Sequence, residues 1–153
     1  MKDVVISIRG TQRSFHPGQE EQRPESVELV TDGRYEYGRD ASWFTYHESE
    51  ITGMEGTRTS LMVLPDKVVV DRDGLVTSRM IFTPGQRSAF QYDTPVGTAT
   101  MQMDTHSITQ RFDERGGDME IDYVLGLEHA VISRNRFRLN VREQTAPRTY
   151  AAQ

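Results

Sequence analysis

Cysteine is absent from this chain of 153 residues. Without it there is no disulfide framework, no thiolate ligand for a metal ion and no cysteine nucleophile. A chain without cysteine suits a reducing compartment, so we expect a cytoplasmic protein.

Long apolar runs are missing as well. The first apolar stretch, Val4 to Ile8, is short and is interrupted by Ser7, unlike the core of a signal peptide. No run approaches the roughly 18 apolar residues of a membrane span. We therefore expect no association with a membrane.

An excess of positive charge is also lacking, because the net charge is -5. A mildly acidic surface disfavours nonspecific attraction to nucleic acid and to anionic lipid, so small or neutral partners fit better. The length fits one domain, which we place at residues 1–143. Proline, glycine, glutamate and glutamine predict a mobile loop at about residues 14–26, and Pro147 lies in a predicted flexible tail at 144–153.

The dominant hydrophobic period along the chain is two, which is typical of strands with one buried face. Apolar and polar positions alternate in this way from Val4 to Arg9 and from Asp118 to Leu127. Turn signals separate these and further short runs: Asp32-Gly33, Pro65-Asp66, Asp73-Gly74, Pro84-Gly85 and Thr94-Pro95-Val96-Gly97. The pattern predicts an all-β protein, either a sandwich or an up-and-down barrel.

The last predicted hairpin allows a register to be written, because both strands must turn their apolar odd positions inward. If Leu127 faces Val131 across a three-residue loop, Tyr123 faces Asn135. The same register sets two further apolar pairs and two pairs of opposite charge: Ile121 with Phe137, Met119 with Leu139, Asp122 with Arg136, and Glu120 with Arg138.

The segment from Tyr46 to Thr57, YHESEITGMEGT, combines three carboxylates, two glycines and an aromatic residue. Glu48 and Glu50 are two apart, so in an extended chain they project from one face about 6.6 Å from each other. Gly53 and Gly56 then interrupt the strand.

Together with Ser78-Arg79-Met80 and Ser133-Arg134-Asn135-Arg136, this segment resembles the YwiB-like family, bacterial domains of unknown function. The resemblance implies a single antiparallel up-and-down barrel of the calycin or lipocalin-like type, with about eight to ten strands. The family has no established activity.

The two glutamates of the signature have the same-face spacing that an inverting glycosidase needs, but nothing else in the chain supplies a sugar platform. A structural use is favoured, with Arg79 or Arg134 as the cation. We predict a polar or ligand-binding network at one barrel end, built from Trp43, Tyr46, Glu48, Glu50, Arg79 and Arg134.

Other reactive arrangements are not evident. The histidines are His16, His47, His106 and His129, and only His106 has a same-face acid nearby, Asp104. Two ligands do not make a zinc site, and no HxH or HExxH spacing occurs. No motif singles out a hydrolytic nucleophile, and Glu55 stands where a phosphate loop would need a cation. We expect no metal, no cofactor and no catalytic residue.

Four arginines form a one-sided basic row on the last predicted strand: Arg134, Arg136, Arg138 and Arg142. Such a row is one way to follow a nucleic-acid backbone. Asp118, Glu120 and Asp122 on the preceding strand would neutralise most of it, so a solvated charge ladder is the better interpretation.

A small barrel either fills with side chains or holds one small molecule. The sequence is compatible with both. We expect a non-enzymatic module, monomeric or homodimeric, that binds a small hydrophobic or amphipathic ligand or a partner. The alternatives are an enzyme using Glu48 and Glu50 at the barrel mouth, and a protein- or RNA-interaction module using the face from Arg134 to Arg142.

Overall fold

The computed structural model describes residues 1–14, 24–128 and 130–144. Ten β-strands and a single 3-10 turn account for most of them. The strands are β1 (Lys2–Ser14), β2 (Glu25–Tyr37), β3 (Ser42–His47), β4 (Thr57–Val63), β5 (Val68–Gly74), β6 (Thr77–Phe82), β7 (Arg87–Thr94), β8 (Gly97–Asp113), β9 (Gly116–Leu127) and β10 (Ala130–Glu143). The 3-10 turn, Glu50–Thr52, lies between β3 and β4.

Each strand pairs antiparallel with the next one along the chain, and β1 pairs with β10 to close the sheet. This is the up-and-down barrel that was predicted. Closure extends from the pair of Val4 and Glu143 to the pair of Ser14 and Ser133. A closed sheet has no free edge strand. Pairing between the first and last strands therefore completes the barrel.

Alternation along the strands directs one set of side chains inward, where they form a single apolar core. Tyr35, Phe44 and Leu61 are fully buried in it. The ring of Phe112 lies 6.2 Å from that of Tyr35 and 6.0 Å from that of Phe44. The hydroxyl of Tyr35 donates a hydrogen bond of 2.7 Å to the carbonyl oxygen of Asp113. One end of the barrel is therefore closed by aromatic packing.

Asp32 and Gly33 were predicted to form a turn, and this prediction is wrong. Strand β2 runs through both residues without a break. A Cβ atom on Gly33 would overlap the side chain of Ile6 and the carbonyl oxygen of Thr45. Glycine is needed here for close packing within the barrel, not for a change of direction.

The predicted register of the last hairpin is confirmed for all the pairs from Tyr123 and Asn135 onward. The loop was predicted wrongly, because Leu127 pairs with Ala130. The shorter loop leaves one extra residue on β10, which is absorbed as a bulge between Val131 and Ser133. The bulge returns the apolar positions to the inner face.

Pairing is weakest between β6 and β7. Their register is defined at two pairs, Thr77 with Asp93 and Ser78 with Tyr92. Further along, the hydroxyl of Ser88 donates a hydrogen bond of 3.1 Å to the carbonyl oxygen of Ile81. The barrel is therefore less firmly closed at this seam.

Two predicted features fall largely on residues that the structure leaves undescribed. Most of the loop predicted at 14–26 and of the tail predicted at 144–153 lies outside the described residues, although Ser14, Glu25 and Ser26 belong to strands. In the part of the chain that is described, no helix has the length and apolar character needed to cross a membrane.

Candidate functional site

The connection from β3 to β4 places Glu48 inside the barrel. Its backbone N–H donates to the carbonyl oxygen of Thr57 at 2.8 Å, which keeps the chain paired for one residue after β3 ends. Ser49 then caps the 3-10 turn by accepting a hydrogen bond from the N–H of Ile51. Gly53, with φ of 76°, ends the turn in the left-handed region.

Glu48 is a buried acid, with only 1% of its side chain exposed. The hydroxyl of Thr59 on β4 donates a hydrogen bond of 2.6 Å to Oε2 of Glu48. Arg72 on β5 places its Nε 3.9 Å from the same oxygen. That distance is too long for a hydrogen bond, so the two side chains attract each other by charge alone.

Two atoms of this pair lack hydrogen-bond partners. Oε1 of Glu48 and Nε of Arg72 are both buried without a partner among the described residues. The other contact of the Arg72 guanidinium is weak, since Nη1 donates to the sulfur of Met80 at 3.4 Å. Buried polar atoms are nearly always satisfied by protein or by ordered water, so this acceptor and this donor are candidates to bind a water molecule or a polar ligand group.

Two tyrosines complete the polar cluster. Burial raises the pKa of Tyr46, and the charge of Glu48 raises it further, while the charge of Arg72 lowers it. Burial also raises the pKa of Tyr123, and Arg72 again acts in the opposite direction. Both hydroxyls therefore stay protonated and remain able to donate hydrogen bonds near neutral pH.

A small cavity adjoins the cluster, bordered by Tyr46, Thr59, Arg72, Tyr123 and Phe137 among others. Its volume is about 20 Å³. A water molecule needs about 10 to 15 Å³ measured in this way, so the cavity accommodates a water but not an organic molecule.

The space widens toward the Glu48 end of the barrel. Gly10 pairs with Phe137 across β1 and β10, and among the described residues no atom lies within 4 Å of the place where its Cβ would stand. Inward-facing Leu125 and Asn135 are only half-buried here. At the opposite end, Val4 and Ile6 are completely buried. As far as the described residues go, the barrel is therefore packed at one end and more open at the other.

Of the six residues predicted to form a network, the structure brings together only Tyr46 and Glu48. Glu50 begins the 3-10 turn and is exposed, because the strand ends before it and the same-face geometry is lost. Arg79 faces outward and pairs with Asp71 at 3.1 Å. Trp43 also lies on the outer face, where alternation places it next to inward-facing Phe44.

Arg134 likewise lies outside the barrel. It pairs in register with Val124 on β9 and with Arg13 on β1, and its side chain is exposed on the outer face. The bulge at Val131 does not alter this, since Ser133 is buried and Arg134 is exposed.

The cation that the sequence analysis missed is Arg72. It stands between two aspartates, and Asp71-Arg72-Asp73 has the composition of a solvated charged segment. The signal that could have found it is the alternation of inward Val68 and Val70, which continues to Arg72.

The outer arginine row is neutralised in part, as predicted. Arg136 lies 2.9 Å from Asp122 and 3.2 Å from Glu120, and Arg138 lies 3.0 Å from Glu120. Asp118 instead accepts a hydrogen bond from Asn140 at 2.7 Å. These contacts form a charge ladder on the outside of β9 and β10.

Acidic and histidine side chains are spread over the described part of the barrel and do not converge on a metal site. No cluster of three or more histidine, aspartate or glutamate side chains there is arranged to hold an ion. Asp104 is engaged by Arg87, whose hydrogen bond lowers the pKa of Asp104. His16 and His129 lie outside the described residues.

The fold and this cluster define a class of protein: a closed ten-stranded antiparallel barrel with a buried acid and base near its more open end. The chain belongs to the family "Domain of unknown function (DUF1934)", which its sequence matches over residues 6–139. Its structure is similar to the crystal structure of the ywiB protein from Bacillus subtilis, with a TM-score of 0.75 and 20% sequence identity over 94% of both chains. No curated protein matches the sequence.

Proposed function

We propose that the protein is a non-enzymatic binding module that holds one small amphipathic ligand at the Glu48 end of the barrel. The observation that carries this proposal is the pair of buried, unmatched atoms, Oε1 of Glu48 and Nε of Arg72. One accepts and the other donates, so together they suit a ligand group that does both, such as an alcohol or a primary amide.

The surroundings suit the rest of such a ligand. Phe137, Tyr123 and Leu125 offer apolar surface toward the open end, and Asn135 adds a polar contact. A mostly apolar wall with a few fixed polar groups is typical of small-molecule sites. The polar head would displace the water that the small cavity accommodates, and the apolar part would lie in the space beside Gly10.

An enzyme using Glu48 and Glu50 has less support. Acid–base chemistry on a sugar needs two carboxyl groups facing one substrate, and Glu50 is exposed in the turn.

The absence of cysteine suits a reducing compartment, so we propose that the binding module acts in the cytoplasm.

Native mass spectrometry of protein purified gently from its own host tests the proposal. The native mass should exceed the denatured mass by that of a small organic molecule, and the excess should disappear on unfolding. A parallel titration with hexanamide, followed by the amide resonances of Gly10 and Asn135, tests the ligand class directly.

Gly10 provides the matched variants. Gly10→Leu fills the open space without meeting another described atom at Cβ, so it should fold and lose the bound mass and the hexanamide response. Gly10→Ala should retain both. A wild-type protein with no bound mass and no response to hexanamide, or a Gly10→Leu variant that binds as well as wild type, would contradict the proposal.

A further inference from the structure

The motif Ser78-Arg79-Met80 divides between the two faces of β6. Arg79 lies outside and pairs with Asp71, whereas Ser78 and Met80 alternate with it and are buried inside the barrel. Met80 belongs to the apolar core. Ser78 is only 6% exposed, yet a serine side chain adds little apolar surface to that core. Packing alone therefore does not explain why a hydroxyl stands at this position.

The hydroxyl of Ser78 also lacks a hydrogen-bond partner. Among the described residues, four buried side-chain atoms have none: Oγ of Ser78, Oε1 of Glu48, Nε of Arg72 and Oγ1 of Thr105. A buried hydroxyl without a partner lowers stability, because its hydrogen bonds with water are lost on folding and nothing replaces them. Ser78 is therefore a further candidate to bind a polar group from outside the chain.

Ser78 lies beside the ion pair of the proposed binding site. It stands opposite Arg72 in the antiparallel register of β5 and β6. Their Cα atoms are therefore roughly 4.5 to 5.5 Å apart. The guanidinium of Arg72 leans toward β6, because its Nη1 contacts the sulfur of Met80, the next inward residue after Ser78. The hydroxyl and the guanidinium thus border the same part of the interior without bonding to each other.

The three unmatched groups on this side of the barrel differ in what they need. Oε1 of Glu48 accepts, Nε of Arg72 donates, and the hydroxyl of Ser78 does both. A single alcohol or amide group satisfies the first two and leaves Ser78 unmatched. Two hydroxyls on adjacent carbons satisfy all three, because one bridges Glu48 and Arg72 while the other shares a hydrogen bond with Ser78.

We propose that the ligand of this barrel carries a vicinal diol as its polar head, in the manner of glycerol with one alkyl chain. Ser78 is then the residue that distinguishes a diol from a simple alcohol. This inference rests on the binding function proposed above and adds the chemical class of the head group.

Titrations of the full chain with 1-hexanol and with hexane-1,2-diol test the proposal, followed by the amide resonances of Gly10 and Asn135. Wild type should bind the diol roughly fivefold or more tightly, because the second hydroxyl gains a buried partner. Ser78→Ala should bind 1-hexanol like wild type and lose the preference for the diol. In that variant the second hydroxyl gives up its hydrogen bonds with water and receives none in return.

Thr105→Val is the matched control. Its Oγ1 is buried and unmatched like the hydroxyl of Ser78, but Thr105 lies opposite Tyr123 on β9 and not opposite Arg72. This variant should keep the preference for the diol. If Thr105→Val lost the preference and Ser78→Ala kept it, the second hydroxyl would bind elsewhere and the proposal would be overturned.

Urea unfolding without ligand separates a binding role of Ser78 from a structural one. Ser78→Ala should be at least as stable as wild type, since the hydroxyl it removes has no partner in the described part of the chain. A clearly destabilised Ser78→Ala would show that the hydroxyl has a structural partner, and would overturn the proposal.

The titrations also distinguish this inference from the function on which it rests. A wild-type protein that binds 1-hexanol and hexanamide but does not prefer the diol would overturn the diol head alone. A wild-type protein that binds none of the three compounds would contradict the binding function, and the diol head with it.

Discussion

Thr59 donates a hydrogen bond of 2.6 Å to the carboxyl group of Glu48 inside the barrel. This contact joins β4 to the segment that follows β3 and fixes one of the two carboxyl oxygens. The other oxygen has no partner in the part of the chain that the structure describes. The interior of this barrel therefore holds an acid that is only half satisfied, and its stability and binding should both depend on the neighbours of that acid.

Replacing Thr59 by valine should destabilise the protein, because the shape is kept while the donor to Glu48 is lost. A buried acceptor left without its donor costs about 1 to 3 kcal/mol. Urea unfolding monitored by circular dichroism measures the change. Thr59→Ser is the control, since it keeps the hydroxyl and should recover most of the loss. Equal destabilisation by both variants would mean that the methyl group, not the hydrogen bond, is important.

Removing Arg72 alone should be more costly than removing the whole pair. Arg72→Met leaves the buried Glu48 without its cation, and such a change costs about 3 to 5 kcal/mol when the partner stays charged. The double variant with Glu48→Leu removes both charged groups and should be more stable than Arg72→Met. A double-mutant cycle from urea unfolding gives the coupling, and strict additivity would contradict the ion pair.

Much of the fold was predictable from the sequence. Alternation of apolar and polar residues can be read from a short segment, and so can the requirement that paired strands turn their apolar positions to the same face. The pairs of Asp122 with Arg136 and of Ile121 with Phe137 follow from alternation and charge alone. The loop did not follow, since a bulge and a shorter turn preserve the same parity as a longer loop.

The candidate site was less predictable, because its composition depends on the residue at which β3 ends. Glu48 and Glu50 share a face only if the strand continues, and the Ser49 cap stops it between them. Gly33 resembled a turn residue because glycine serves both turns and close packing, and only the position of Ile6 distinguishes the two. Arg72 continues the inward alternation of Val68 and Val70, but its two aspartate neighbours give the segment the composition of a solvated strand end.

Alkaline pH should destabilise the protein through its buried tyrosines. Burial raises the pKa of Tyr46 above its ordinary value of 10.0, so the unfolded chain ionises first as pH rises. The folded state then binds more protons, and the free energy of unfolding falls above pH 10 while it is unaffected below. Urea unfolding between about pH 8 and 11 should show a shallower decline for Tyr46→Phe. The exposed Tyr37→Phe variant is the control, and an equal effect of both would exclude burial as the cause.

Two glycines in strands should respond in opposite ways to alanine. Gly116 has φ of 138°, and a Cβ there would overlap the carbonyl oxygen of Val141 on β10. Gly116→Ala should therefore cost about 2 kcal/mol or more through backbone strain and the clash. Gly10 has neither constraint, so Gly10→Ala should stabilise β1 by about 0.5 kcal/mol. Thermal and urea unfolding of both variants measure the difference. If Gly10→Ala proved as costly as Gly116→Ala, the space beside Gly10 would be occupied, and the binding site proposed there would have no room for a ligand.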